Sequence, residues 1–199
     1  MTKTKIGSHN TFSYLRPKKW YMLPFWFVSK CQSKDIVDQY ESGARIFDIR
    51  INFDKNYKFQ ISHGFMAFNI SEGDVEFFLE QLNNLANDNN KIYIRLIYEL
   101  NYDLDDEDRQ SKEEDLFKSY CKKWQDKYGK LIFFGGNRKY DWDILFDFKT
   151  DAPRFVDLYS STTGTVWDDW CPWLYATLHN KVNLEEYEND DKYVLMDFI

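Results

Sequence analysis

Cysteine and histidine are scarce in this chain, three of each. Cys31, Cys121 and Cys171 are widely spaced and odd in number. That excludes a disulfide framework and a C-x-x-C zinc site, and reduced, packed thiols are expected. Proline and glycine are also few, at four and eight, and there is neither an internal repeat nor a flexible linker. One domain over residues 1–199 is the expectation. Long apolar runs are absent. The longest, Trp20 to Val28, cannot span a bilayer. No apolar leader follows Met1, so a cytoplasmic location is expected, with at most peripheral membrane contact. Positive charge is in deficit, 26 basic residues against 33 acidic, for a net charge of −7. Nucleic acid is therefore excluded as the main partner. Bulk adsorption to anionic lipid is disfavoured too, although a local basic patch could still act.

Aromatic residues are abundant, at 19% of the chain. Such rings serve a core, a sugar-stacking site or a membrane interface. Strands are expected at Lys5–Ser8, Arg45–Ile51, Lys58–Ile61, Lys91–Tyr98, Leu131–Phe134, Arg154–Tyr159 and Tyr193–Phe198. Helices fall between them. One runs from an N-cap at Ser33 to Gly43. A second starts at Ser71 and carries Val75, Phe78, Leu79, Leu82 and Leu85. A third opens on a Ser111–Glu114 capping box and ends at Gly129. Strands alternating with helices predict an α/β fold with a mainly parallel sheet and function at the strand-to-helix ends. The acidic stretch Asp103–Asp108 lacks the glycine and terminal glutamate of a calcium loop and reads as a solvated loop.

His9 follows the first strand and His63 a later one. Asp48 and Arg50 lie two apart on the second strand, so they share a face near its C-terminal end. Two imidazoles beside a carboxylate and a guanidinium suit phosphodiester cleavage. One imidazole takes a proton, the other gives one, and the arginine meets the charge on phosphorus. A plain Asp48–Arg50 ion pair is the simpler alternative.

Gly7-Ser8-His9-Asn10-Thr11 resembles the segment that opens the catalytic domain of phosphatidylinositol-specific phospholipases C. Gly43 to Arg50 is similar to the second-strand motif of the bacterial, metal-independent enzymes, and Ser62-His63-Gly64 to their second histidine segment. Gly129-Lys130, the Ser160–Trp167 stretch and Tyr193–Ile199 resemble later segments of the family. The resemblance implies a TIM-like (β/α) barrel that makes cyclic inositol phosphate with no metal or cofactor. It implies His9 as general base, oriented by Asp197, with Arg50 on the phosphate beside Asp48 and His63 as general acid. A phospholipid headgroup is the implied partner.

Two departures stand out. Asn10 replaces the aspartate that partners the general acid in the bacterial pattern. Calcium-dependent relatives have asparagine there as a metal ligand, but Arg50 and Ile97 fall at two of their other ligand positions, which opposes calcium. The chain is also short, with about 20 residues between Phe134 and Arg154. The barrel is therefore expected to be distorted and reduced by a βα unit. Asp157 and Tyr159 either contact inositol or belong to the penultimate strand with no ligand role. Arg95 and Glu99 either line the pocket or pair with each other. Trp20 and Trp26, following Lys18-Lys19, are read as a membrane interface or as a cap on the core, and Trp167, Trp170, Trp173 and Tyr175 likewise. His179 is read as structural. A headgroup-binding module with weak or no turnover, or a phosphodiesterase for a soluble substrate, are the alternatives.

Overall fold

The computed structural model describes residues 4–99, 107–137, 152–160, 171–188 and 190–199. Its strands are β1 (Lys5–Ser8), β2 (Ala44–Phe53), β3 (Phe59–His63), β4 (Met66–Ala67), β5 (Tyr93–Tyr98), β6 (Ile132–Asn137), β7 (Phe155–Asp157) and β8 (Tyr193–Met196). The helices are α1 (Ile36–Glu41), α2 (Glu72–Leu85), α3 (Glu107–Lys127) and α4 (Pro172–Glu186), with 3-10 segments at Thr11–Tyr14 and Trp20–Val28.

Six strands form a curled parallel arc in the order β6-β5-β2-β1-β8-β7. Among the described residues its ends, β6 and β7, share no ladder. Their rings still meet, Phe134 on Phe155 with centroids 5.5 Å apart. The barrel is thus distorted and reduced. β3 and β4 depart from the parallel expectation. They form an antiparallel hairpin on the edge of β2 that β1 leaves free beyond Phe47. The hairpin turns at Gly64, whose φ of 56° suits glycine, and this places His63.

β2 is buried on both faces, as a strand between helices and a barrel interior must be. Its outward row, Phe47, Ile49, Ile51 and Phe53, joins Val75, Leu79 and Leu82 of α2 and Phe117 and Trp124 of α3 in one core. The inward row starts with Ile46, in a second, smaller core with Tyr93, Phe134 and Leu195. Above that floor the inward residues become ionisable: Asp48 and Arg50 on β2, Arg95 on β5 and Asp157 on β7, with Glu99 and Asp197 just past β5 and β8. Gly7 is needed on β1 because a Cβ there would lie 2.8 Å from Leu195 Cδ1.

Helix signals held in part. Ser71 caps α2 with a reciprocal box to Asp74. The N-cap of α1 is Asp35 rather than Ser33, since the Asp35 carboxylate accepts from the Asp38 N–H. α3 runs from residue 107, so Ser111 lies inside it and caps nothing; the expected acidic loop therefore gives way to helix at its end, and 103–106 lie outside the described residues.

Candidate active site

Side chains of β2 and β3 and of the residues just past β1 and β8 converge on one buried cluster. His9 follows β1, and its N–H donates to the Met196 carbonyl on β8. Gln32 ties the two strand ends from behind, its amide donating to the carbonyls of His9 and Met196, both at 3.0 Å. Asp197 follows, fully buried, with Oδ1 2.6 Å from His9 Nδ1 and Oδ2 accepting from the Ser160 N–H at 3.1 Å.

The other ring nitrogen, Nε2, lies 2.8 Å from Arg50 Nη2. A guanidinium only donates, so Nε2 accepts and Nδ1 carries the proton toward Asp197. Arg50 also reaches Asp48 at 3.2 Å and Glu99 at 3.4 Å. Asp48 Oδ2 accepts from the Asn10 N–H at 3.1 Å. His63 stands edge-on to His9, with ring centroids 5.7 Å apart. Its Nδ1 faces the Ser29 carbonyl at 3.2 Å and Cys31 Sγ at 3.8 Å.

Burial shapes the titration. Desolvation, then the Arg50 charge, holds His9 well below the ordinary imidazole value and His63 below it as well. Burial would raise Asp48, but Arg50 and Arg95 outweigh it and hold the carboxyl low. Asp197 is pushed up to about 6 by burial, which the Ser160 N–H only partly offsets. Burial and the nearby Asp197 push the Cys31 thiol well up.

The remaining expected residues divide. Arg95 and Asp157 pair across the arc at 2.9 Å, while Arg95 and Glu99, the alternative pair in and just past β5, go to different partners. Tyr159 lies flat on His9, with centroids 3.6 Å apart and planes 2° apart, so its ring packs on the imidazole. Asn10 adopts a left-handed backbone, with φ at 48°. Its amide approaches Cys31 Sγ at 4.0 Å, not His63, and its Oδ1 has no partner.

Trp20 is 80% exposed, whereas Trp26 packs against the core and donates its indole N–H to the Ser13 carbonyl. Trp173 is exposed and Tyr175 buried, and Trp167 and Trp170 lie outside the described residues. His179 stacks on Tyr175. Ser29, Cys31 and Gln32 were not singled out as site residues from sequence. They come from the irregular segment after the second 3-10 turn and carry no periodic signal.

No protein-family model matches the sequence, and no curated protein matches it. Solved structures do. The phosphatidylinositol-specific phospholipase C of Listeria monocytogenes superposes with a TM-score of 0.58 at 19% identity, covering 99% of this chain and 89% of that one. A mutant of the Staphylococcus aureus enzyme of the same name gives 0.56 at 15% identity, over 100% and 87%. This chain has the fold of those phospholipases. A second S. aureus mutant agrees, with a TM-score of 0.57 at 15% identity, over 99% and 86%.

Proposed function

We propose that this protein is a phosphatidylinositol-cleaving phosphodiesterase that works without a metal. The observation that carries the reading is the buried chain Asp197–His9–Arg50, with His63 edge-on to His9. When a phosphodiester enters, Arg50 turns from His9 Nε2 to the phosphate oxygens. The freed Nε2 takes the proton of the inositol 2-hydroxyl as that oxygen attacks phosphorus. Asp197 steadies the imidazolium that results. His63, protonated on both nitrogens, hands its Nε2 proton to the departing glycerol oxygen while Nδ1–H stays on Ser29. The products are cyclic inositol phosphate and diacylglycerol. Asp48 and Glu99 hold the guanidinium in place beforehand, the preorganisation that makes charge stabilisation effective. Arg95 and Asp157, partly buried above the apolar floor, suit inositol hydroxyls.

The same reading extends to a bilayer. Trp20, Tyr21, Leu23, Phe25 and Phe27 are exposed along the second 3-10 segment, and α4 beside it exposes Trp173, Leu174 and Leu178. A groove of about 800 Å³ next to Gly64 is lined by Lys18, Lys19, Lys55 and Arg109. Rings beside lysines suit peripheral contact with lipid. Turnover of phosphatidylinositol vesicles in chelator, with cyclic inositol phosphate as the readout, tests the proposal. Product from wild type and none from His9→Ala supports it. Vesicle binding without product would favour a headgroup-binding module, a reading suggested because, among the described residues, His63 Nδ1 faces the Ser29 carbonyl and Cys31 Sγ instead of a carboxylate.

A further inference from the structure

Cys31 carries a potential metal-ligating sulfur that the proposed reaction does not use. It is fully buried, and its sulfur lies 3.8 Å from His63 Nδ1. A ring nitrogen of His9, one of His63 and Cys31 Sγ all fall within 4.8 Å of one another. A tetrahedral zinc ion, with bonds of about 2.0–2.3 Å, sets its donors roughly 3.3–3.8 Å apart. The Cys31–His63 edge already has that length, and the other edges need to close by at most about 1 Å.

Donor chemistry selects the metal. One thiolate and two imidazoles suit a borderline-soft ion, whereas calcium and magnesium require oxygen. Asp48 and Glu99 hold the Arg50 guanidinium, and Asp197 adds a third carboxylate beside His9. Asp197, bonded to His9, is the outer carboxylate that orients a metal-binding imidazole. Arg50 keeps Asp48 and Glu99 as partners when His9 turns to a metal.

We propose that His9, Cys31 and His63 form a binding site for one zinc ion. On binding, the Cys31 S–H bond breaks, a sulfur–zinc bond forms and the proton leaves to solvent. The His63 proton moves from Nδ1 to Nε2 so that Nδ1 can coordinate, and the Ser29 contact is given up. The effect on turnover rests on the acid–base reading above: zinc occupies both imidazoles and silences the enzyme reversibly.

The test uses the full chain, stripped with chelator and titrated with cobalt(II). A thiolate-to-cobalt charge-transfer band should saturate at one equivalent and be displaced by zinc. Cys31→Ser should abolish the band and weaken zinc binding more than about a hundredfold, since loss of outer partners alone costs roughly 10- to 100-fold. Cys121→Ser, in the outer core, should leave the band unchanged. Should Cys31→Ser fail to fold, X-ray absorption of zinc-loaded wild type decides, with one sulfur and two imidazoles expected. No band, a band lost instead in Cys171→Ser, or a shell of oxygen and nitrogen alone overturns the site. None of these signals needs turnover, so a protein that binds zinc and never cleaves phosphatidylinositol would sink the enzyme reading and leave the metal site standing.

Discussion

Asp197 stands apart because it is buried without a full counter-charge. Its folded pKa, pushed up by burial to about 6, lies above the ordinary 3.8, so the folded state binds the extra proton between those values. The stability from that proton is complete below 3.8 and is lost as pH rises through about 6. At neutral pH the ionised form weighs against folding by about 3 kcal/mol. Asp197→Asn should therefore be at least as stable as wild type near about pH 7.5 in urea unfolding, while turnover falls by orders of magnitude. A large loss of stability would show that the ionised carboxylate is a net contributor. His9 acts when neutral and His63 when protonated, and both titrate below 6.5. The kcat/KM profile should accordingly be bell-shaped with its maximum on the acid side of pH 6.5. Arg50→Lys should not rescue activity, because a point charge cannot hold Asp48 and Glu99 together while meeting phosphate. His9, Asp48, Arg50, His63 and Asp197 were legible in sequence because each sits in a recognisable motif, with His9, His63 and Asp197 at or just past a strand end and Asp48 and Arg50 on one face within β2. Cys31, Ser29 and Glu99 were less so. Their roles arise from contacts between segments dozens of residues apart.

At the scale of elements, legibility followed periodicity. α2 has one apolar stripe and a capping box, and both were read. Ser71→Ala should cost about 1 kcal/mol in chemical denaturation with little effect on turnover. α4 was not anticipated, because its apolar residues lie on two faces: Tyr175 and Ala176 are buried, and Leu174, Leu178 and Val182 are exposed. The β3–β4 hairpin read as one short strand leading to His63, because two residues are too few for β4 to show a pattern. Gly135 on β6 is a sharper constraint. Its φ is 124°, and an added Cβ would lie 2.1 Å from the Leu96 carbonyl oxygen on β5. Gly135→Ala should cost on the order of 1–3 kcal/mol or more, seen as a lowered urea midpoint. An unchanged midpoint would mean that β6 shifts freely at the open end of the arc.

Across the whole molecule, an acidic protein would have to approach lipid through one locally basic, aromatic rim. The two tryptophans of the second 3-10 segment should respond differently. Trp20→Ala should leave stability unchanged and weaken vesicle binding about tenfold, since an inserted ring contributes roughly 1–3 kcal/mol. Trp26→Ala should lower stability instead, because that ring packs on the core and bonds Ser13. Lys18→Glu with Lys19→Glu should remove the salt-sensitive part of vesicle binding. The general base and its carboxylate come from opposite ends of the chain, His9 after the first strand and Asp197 after the last, 188 residues apart. Pairings of such separation close late, after local helices and neighbouring strands have formed. During refolding, the helical signal should return first and turnover last, so regained catalysis would time the moment at which β8 docks on β1.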